Sequence, residues 1–376
     1  TTFANDKVSP QKPANDQFAK ETSEKIKQYK SNPSIDKKSR QVIFKNKNVS
    51  VNANTDAVLT CGIIIDKNTT MTEDLDCPDY RGFAVQILGD NITLNGKGHK
   101  INAPKATAGI FMNGKHNTVL NTKVNGLTEG FGILAYNSPE AGILLNDFSD
   151  NWVGIVFFAD NTTANNVQII NNKVLRSTAF AIRVQQDAPG VIDAPQIEKN
   201  DLRSSRDFAV YLKVQSFELQ DQNNNMIAES GNGFYLKEGN FNIHDLSLAN
   251  QSIKKRSLFF DNASAVVINN VNVTTRAPAT EDRERVGIAL YQSPNFQINQ
   301  VTAQGLDAGI YLSTEQGKSV KGKIENSIFS QNAYADINLV SWDDTAWGDL
   351  TLSKNQFDDA NGKVIVEPGT VANITK

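Results

Sequence analysis

Between residues 183 and 261 the chain carries side chains of the kind that abstract a proton next to a carboxylate. Arg183, Tyr211 and Tyr235 stand at one position of a repeating phrase, and Gln185, Lys213, Lys237 and Asp261 stand at the position two residues further on. A cation neutralises a carboxylate, a tyrosine or lysine transfers a proton, and an aromatic face stacks on a sugar ring. Tyr211, Lys213, Tyr235 and Lys237 are therefore the candidate catalytic residues, with Arg183, Gln185, Asp261, Tyr291 and Tyr311 as candidate substrate contacts. Two stacked lysines are expected to lower one another's pKa by like-charge proximity, which suits a base. The plainer reading of the same residues is an exposed strand face, where tyrosine and lysine are common.

These positions exist because a short phrase recurs. Gly109-Ile110-Phe111-Met112 returns as Gly132-Ile133-Leu134-Ala135, Gly154-Ile155-Val156-Phe157, Ala209-Val210-Tyr211-Leu212 and Gly309-Ile310-Tyr311-Leu312, with further copies at steps of 22 to 30 residues. A period of this size signals a solenoid in which each repeat touches only its neighbours. If each phrase is a strand stacked in register on the next, alternation sends Ile110, Ile133, Ile155 and Val210 inward with Met112, Ala135, Phe157 and Leu212 beside them. Both inward series are apolar in every copy, so the intervening residues form two outward columns, where any surface chemistry must lie. Segments such as Ile170-Asn171-Asn172 and Ile268-Asn269-Asn270 read as bends, because asparagine tolerates a left-handed backbone; stacked asparagines also form amide ladders.

The expected architecture is all-β, a parallel solenoid of about 11–12 coils over residues 39–376. Residues 1–38 read as a polar arm followed by an amphipathic helix over 15–29, with Phe18, Thr22, Ile26 and Tyr29 on one face. That helix is expected to cap the open end of the solenoid or to dock on a partner, another copy of the chain included.

A formal net charge of -3 over 376 residues gives no reason to expect nucleic-acid binding. No apolar run approaches the ~20 residues that span a bilayer as a helix. Cys61 and Cys77 are the two cysteines, and their spacing suits neither a metal pair nor a redox Cys-x-x-Cys. A disulfide closing that loop is expected, and with it an oxidising compartment. The first residue is threonine, as removal of a secretion signal would leave it and as trimming would too. Asp74/Asp76/Asp79, Asp343/Asp344 and Asp358/Asp359 offer oxygens of the kind Ca2+ takes, but none follows a recognised loop spacing, and no cofactor is expected.

The small-Ile-x-Leu phrases with their Asn-Asn bends, the Cys61-Gly62-Ile63-Ile64-Ile65 lead-in and the run from Asn91 to Ile101 resemble secreted right-handed parallel β-helix repeat proteins of the pectate-lyase-like family. The resemblance spans about Ser39 to the end. It implies a right-handed coil and a secreted, periplasmic or cell-surface location, and it makes His99 a turn residue rather than a catalytic one. The family includes polysaccharide lyases, hydrolases and epimerases, so the functional expectation is binding, with lyase or epimerase processing, of an acidic polysaccharide. The Asp-Pro-His signature of alginate epimerases is missing, as are the Asn-Thr-Asp, Asp-Asp and Gly-His-Gly signatures of polygalacturonases. Paired carboxylates for glycoside hydrolysis would have to come from Asp261 with Asp187, Glu238 or Asp307. The competing expectation is a non-enzymatic adhesin or filament subunit that assembles through its N-terminal arm and solenoid ends.

Overall fold

The computed structural model describes residues 55–220, 225–249, 252–274, 285–314, 320–341, 346–358, 364–366 and 371–375. The arm, the 15–29 helix and the 38/39 boundary lie outside these residues, as do Asp343/Asp344, Asp359 and most of the charged insertion at 274–285. The compact unit that holds the described residues begins at Asn54.

All the described elements are strands, and every pairing between them is parallel. The repeating phrase forms a sheet of thirteen strands, one per coil, from Ile63–Ile65 to Val364–Val366. Its register is the expected one: Ile133 pairs with Ile110 and Ile155, and Val210 pairs with Ile182 and Phe234. Ile110, Ile133, Ile155, Ile182, Val210, Leu258, Ile288, Ile310 and Ile337 are fully buried in one continuous core.

The small residue that opens the phrase also faces inward. A Cβ at Gly109 would lie 2.2 Å from Val124 Cγ1, and one at Gly154 would lie 2.0 Å from Val174 Cγ1. Two successive residues therefore point into the core where the chain bends into the strand, so alternation breaks there and the position is small in most coils, with the buried Asp336 as an exception. The residue before the small one consequently faces out. Phe83, Phe131, Phe180 and Phe208 fill this extra outward column, which alternation alone did not predict.

A second wall is a seven-stranded sheet in the first coils, running from Thr55–Ala57 to Gln196–Glu198. It gives way to a nine-stranded sheet whose longest strands, Ala265–Thr274 and Asn295–Gln304, continue across a bend. One left-handed residue per coil makes that bend: Asn121, Leu145, Asn171 and Lys199 early, then Asp245, Asn270, Gln300 and Asn326. After Leu145, Asn171 and Lys199 the next residue turns inward as asparagine and links the coils. Asn146 Nδ2 donates to Asn172 Oδ1 at 3.0 Å, Asn172 Nδ2 to Asn200 Oδ1 at 3.1 Å, and Asn200 Nδ2 to Asn225 Oδ1 at 3.0 Å. Each amide also donates to a core-facing strand carbonyl, as Asn172 does to Ile143 O at 2.7 Å. These bonds satisfy backbone groups at a bend where water cannot reach them.

Cys61 and Cys77 are bonded, with their Cα atoms 5.8 Å apart. The bridge ties the chain just before the strand Ile63–Ile65 to the chain just after the strand Leu75–Asp76.

Candidate functional site

Strand register brings the middle-coil residues together. Arg183 pairs with Tyr211 and Tyr211 with Tyr235; Gln185 pairs with Lys213, Lys213 with Lys237, Lys237 with Asp261, and Asp261 with Tyr291. Tyr311 lies apart, two coils beyond Phe259 in the first column.

The two columns are not equally open, contrary to the expectation of two solvent-facing rows. Arg183, Tyr211 and Tyr235 keep 1%, 3% and 2% of their surface. Neighbouring rings cover one another: Tyr211 meets Tyr235 edge-on at 5.0 Å, Phe180 meets Tyr211 at 5.5 Å, and Phe208 meets Tyr235 at 5.1 Å. The extra phenylalanine column thus packs against the tyrosine column on the same outer face. The Arg183 guanidinium lies 5.1 Å from the Tyr211 ring centre and 5.8 Å from that of Phe180, a favourable cation–π arrangement. Its Nε donates to Gln185 Oε1 at 3.1 Å, and burial pulls its pKa down.

Burial pushes the Tyr211 phenol up to about 12, against the opposing pull of Arg183 and Lys213. Tyr235 donates its hydroxyl proton to Asp261 Oδ2 at 2.6 Å. The Tyr211 phenol therefore holds its proton more tightly than a free tyrosine does.

The second column carries a chain of alternating charges. Asp187 Oδ1 accepts from Gln185 Nε2 at 3.1 Å and from Lys213 Nζ at 3.3 Å. Lys213 Nζ lies 3.1 Å from Glu238 Oε2; the other Glu238 oxygen lies 3.9 Å from Lys237 Nζ, which in turn is 3.4 Å from Asp261 Oδ2. Burial works to lower the Lys213 pKa, but the hydrogen bond and charge of Glu238, with Asp187 behind it, outweigh burial and raise it. At Lys213 the expected lowering by the neighbouring lysine is thus overridden by the carboxylates beside it. Sequence reasoning named Asp187 and Glu238 only as partners in a hydrolytic pair and missed their place beside the lysines.

The remaining candidates fall elsewhere. Asp307 is buried against Arg285, with Arg285 Nη2 2.9 Å from its Oδ1 and the Arg285 amide donating to its Oδ2 at 2.9 Å. Asp74, Asp76 and Asp79 each engage a separate neighbour in the next coil, namely His99, Asn102 and Lys105. His244 sits on the nine-stranded sheet between Asp245 and Glu218, whose hydrogen bonds raise its pKa, and His116 contacts Glu140. Just before the strand Phe208–Lys213, burial pushes the Asp207 carboxyl up to about 6 in spite of Lys255, Arg256 and Arg206.

A family model described as a right-handed β-helix region matches residues 190–357, which carry the strip from Lys213 to Tyr291. The fold is a right-handed parallel β-helix. Among solved structures the β-helix is similar to the periplasmic alginate epimerase AlgG, at 12% identity over 86% of this chain and 78% of that one, with a TM-score of 0.40. It is also similar to the catalytic domain of a GH87 α-1,3-glucanase in complex with tetrasaccharides, at 11% identity and a TM-score of 0.39, where it covers 86% of its own length and 64% of that domain. No curated protein matches the β-helix in sequence. No helix among its described residues is long and apolar enough to cross a membrane, and its disulfide fits an oxidising compartment.

Proposed function

We propose that the β-helix binds a polysaccharide lengthwise, along the strip from Gln185 through Lys213, Lys237 and Asp261 to Tyr291. The observation that carries this reading is the register of that column, which sets amide, ammonium, carboxylate and phenol groups in line at the ~4.8 Å spacing of paired strands. Sugar hydroxyls donate and accept, so a row of mixed donors and acceptors suits a hydroxyl-rich chain. Asp187 and Glu238, each with 37% of its side chain exposed, are the open points of the row.

Charge balance refines the ligand class. Asp187, Glu238 and Asp261 neutralise Lys213 and Lys237, so the strip is not a cationic trough. An acidic polymer, the ligand expected from sequence, would have to displace one of these carboxylates, whereas a weakly charged chain would not. With Tyr211 and Tyr235 covered and the Tyr235 hydroxyl committed to Asp261, the reading is binding without lyase or epimerase turnover. The disulfide supports placement outside the cytoplasm, in a secreted or periplasmic setting.

Calorimetric titration with a panel of neutral and uronic-acid polysaccharides tests this reading. The expected result is saturable binding of a neutral or weakly charged chain, with no rise in the absorbance of unsaturated uronate product. Product formation that disappears in Tyr235→Phe would overturn it in favour of catalysis.

A further inference from the structure

We propose that Glu238 is an internal stand-in for a ligand carboxylate and sets the strip's selectivity against uronic-acid chains. The inference rests on the polysaccharide-binding reading and assigns its specificity to one residue.

Three observations lead to it. The first is backbone conformation. Glu238 follows the strand Asn232–Lys237 with φ 55°, in the left-handed region, as Asn137, Asn262 and Gln292 do after their own strands. Of these four, Glu238 alone is charged. The turn at this residue, and not strand alternation, sets the direction in which its carboxylate leaves the backbone.

The second observation is the contact it makes. The turn sets the carboxylate between two lysines of successive coils, with Oε2 3.1 Å from Lys213 Nζ and Oε1 3.9 Å from Lys237 Nζ. A uronate carboxylate is the same chemical group and would seek the same two ammonium groups.

The third is the order of exposure. Glu238 keeps 37% of its side-chain surface, against 22% for Lys213 and 20% for Lys237, so the carboxylate stands on the more open side of the pair. Asp187 and Asp261 hold the far sides of the lysines, at 3.3 Å and 3.4 Å. Removing the charge at 238 would leave Lys213 beside Asp187 and Lys237 beside Asp261, with the position Glu238 now fills open to another acceptor.

The test compares the full chain with Glu238→Gln, which keeps side-chain size, and with Glu238→Gly, which suits a left-handed turn and guards against misfolding. Polygalacturonate and a neutral glucan are the probes, titrated at low and moderate salt. In both variants polygalacturonate affinity is expected to rise about tenfold and to become salt-sensitive, as one charge-assisted contact per site implies. Glucan affinity is expected not to rise in either variant, and to fall by up to about tenfold where the carboxylate acceptor is lost. Glucan binding that persists without any gain for polygalacturonate would overturn the role of Glu238 and leave the binding reading standing. Failure of all three proteins to bind either chain would overturn the binding reading, and the selectivity role with it.

Discussion

Replacing Asn172 by alanine is expected to destabilise the β-helix by about 3 kcal/mol. The Asn172 amide is buried and serves four bonds: its Oδ1 accepts from the Asn146 backbone and side-chain amides at 3.0 Å each, and its Nδ2 donates to Ile143 O at 2.7 Å and to Asn200 Oδ1 at 3.1 Å. Alanine leaves the Asn146 N–H and the Ile143 carbonyl without those partners inside the coil stack. Each orphaned buried group costs about 1–3 kcal/mol, and no water reaches the bend to replace the amide. The half-exposed amide pair on the nine-stranded sheet is the contrast: Asn299 Nδ2 donates to Asn269 Oδ1 at 2.7 Å, yet Asn299→Ala is expected to cost less than about 0.5 kcal/mol because solvent takes over. Guanidinium unfolding of both variants, with hydrogen exchange at the Asn146 amide, measures the difference. Equal losses in the two variants would show that the inner ladder has no special weight.

Asp207→Asn is expected to stabilise the protein above neutral pH by about 2–3 kcal/mol and to do little at pH 4. Burial lifts the Asp207 carboxyl from 3.8 to about 6, and its Oδ2 is buried with no hydrogen-bond partner among the described residues. The folded chain therefore holds a proton that the unfolded chain releases between these two values. The favourable contribution is complete below pH 4 and is lost as pH rises through about 6, beyond which the native state carries a desolvated carboxylate. Asparagine does not ionise, so the variant's advantage should grow over that window. Unfolding free energies of both proteins from pH 4 to pH 8 give the curve directly; a difference that stays flat with pH would mean that Asp207 titrates normally.

The fold was legible because a solenoid repeats its constraint in every coil. Ile110, Ile133, Ile155 and Val210 must all be apolar, and a single phrase therefore reports the sheet, the register and the inward series at once. The second column was legible for the same reason, since Gln185, Lys213, Lys237 and Asp261 are fixed by the register of the residues beside them. The openness of the first column was misjudged although the sequence held a clue. Phe111, Leu134, Val156 and Phe259 are poor residues for a wet surface, and all four are buried. The break in alternation at the small residue, which turns Phe180 and Phe208 outward against the tyrosines, depends on how the chain enters the strand and leaves no period-2 signature. Glu238 and Asp187 lie in turns just past the strands, where alternation no longer says which way a side chain points. Only the left-handed turn at 238 and the bond from Gln185 to Asp187 bring them to the lysines. The network that neutralises Lys213 and Lys237 was therefore invisible to reasoning about columns alone.

The Lys213–Lys237 strip is proposed to hold a polysaccharide. Calorimetry of the wild-type chain and of Lys213→Ala/Lys237→Ala, against the neutral chain that binds most tightly in the panel, tests it most directly. The predicted result is at least a tenfold loss of affinity in the double variant, roughly the loss of two hydrogen bonds, with the fold unchanged by circular dichroism. Unaltered affinity in a folded double variant would contradict the account and move the binding surface away from this strip.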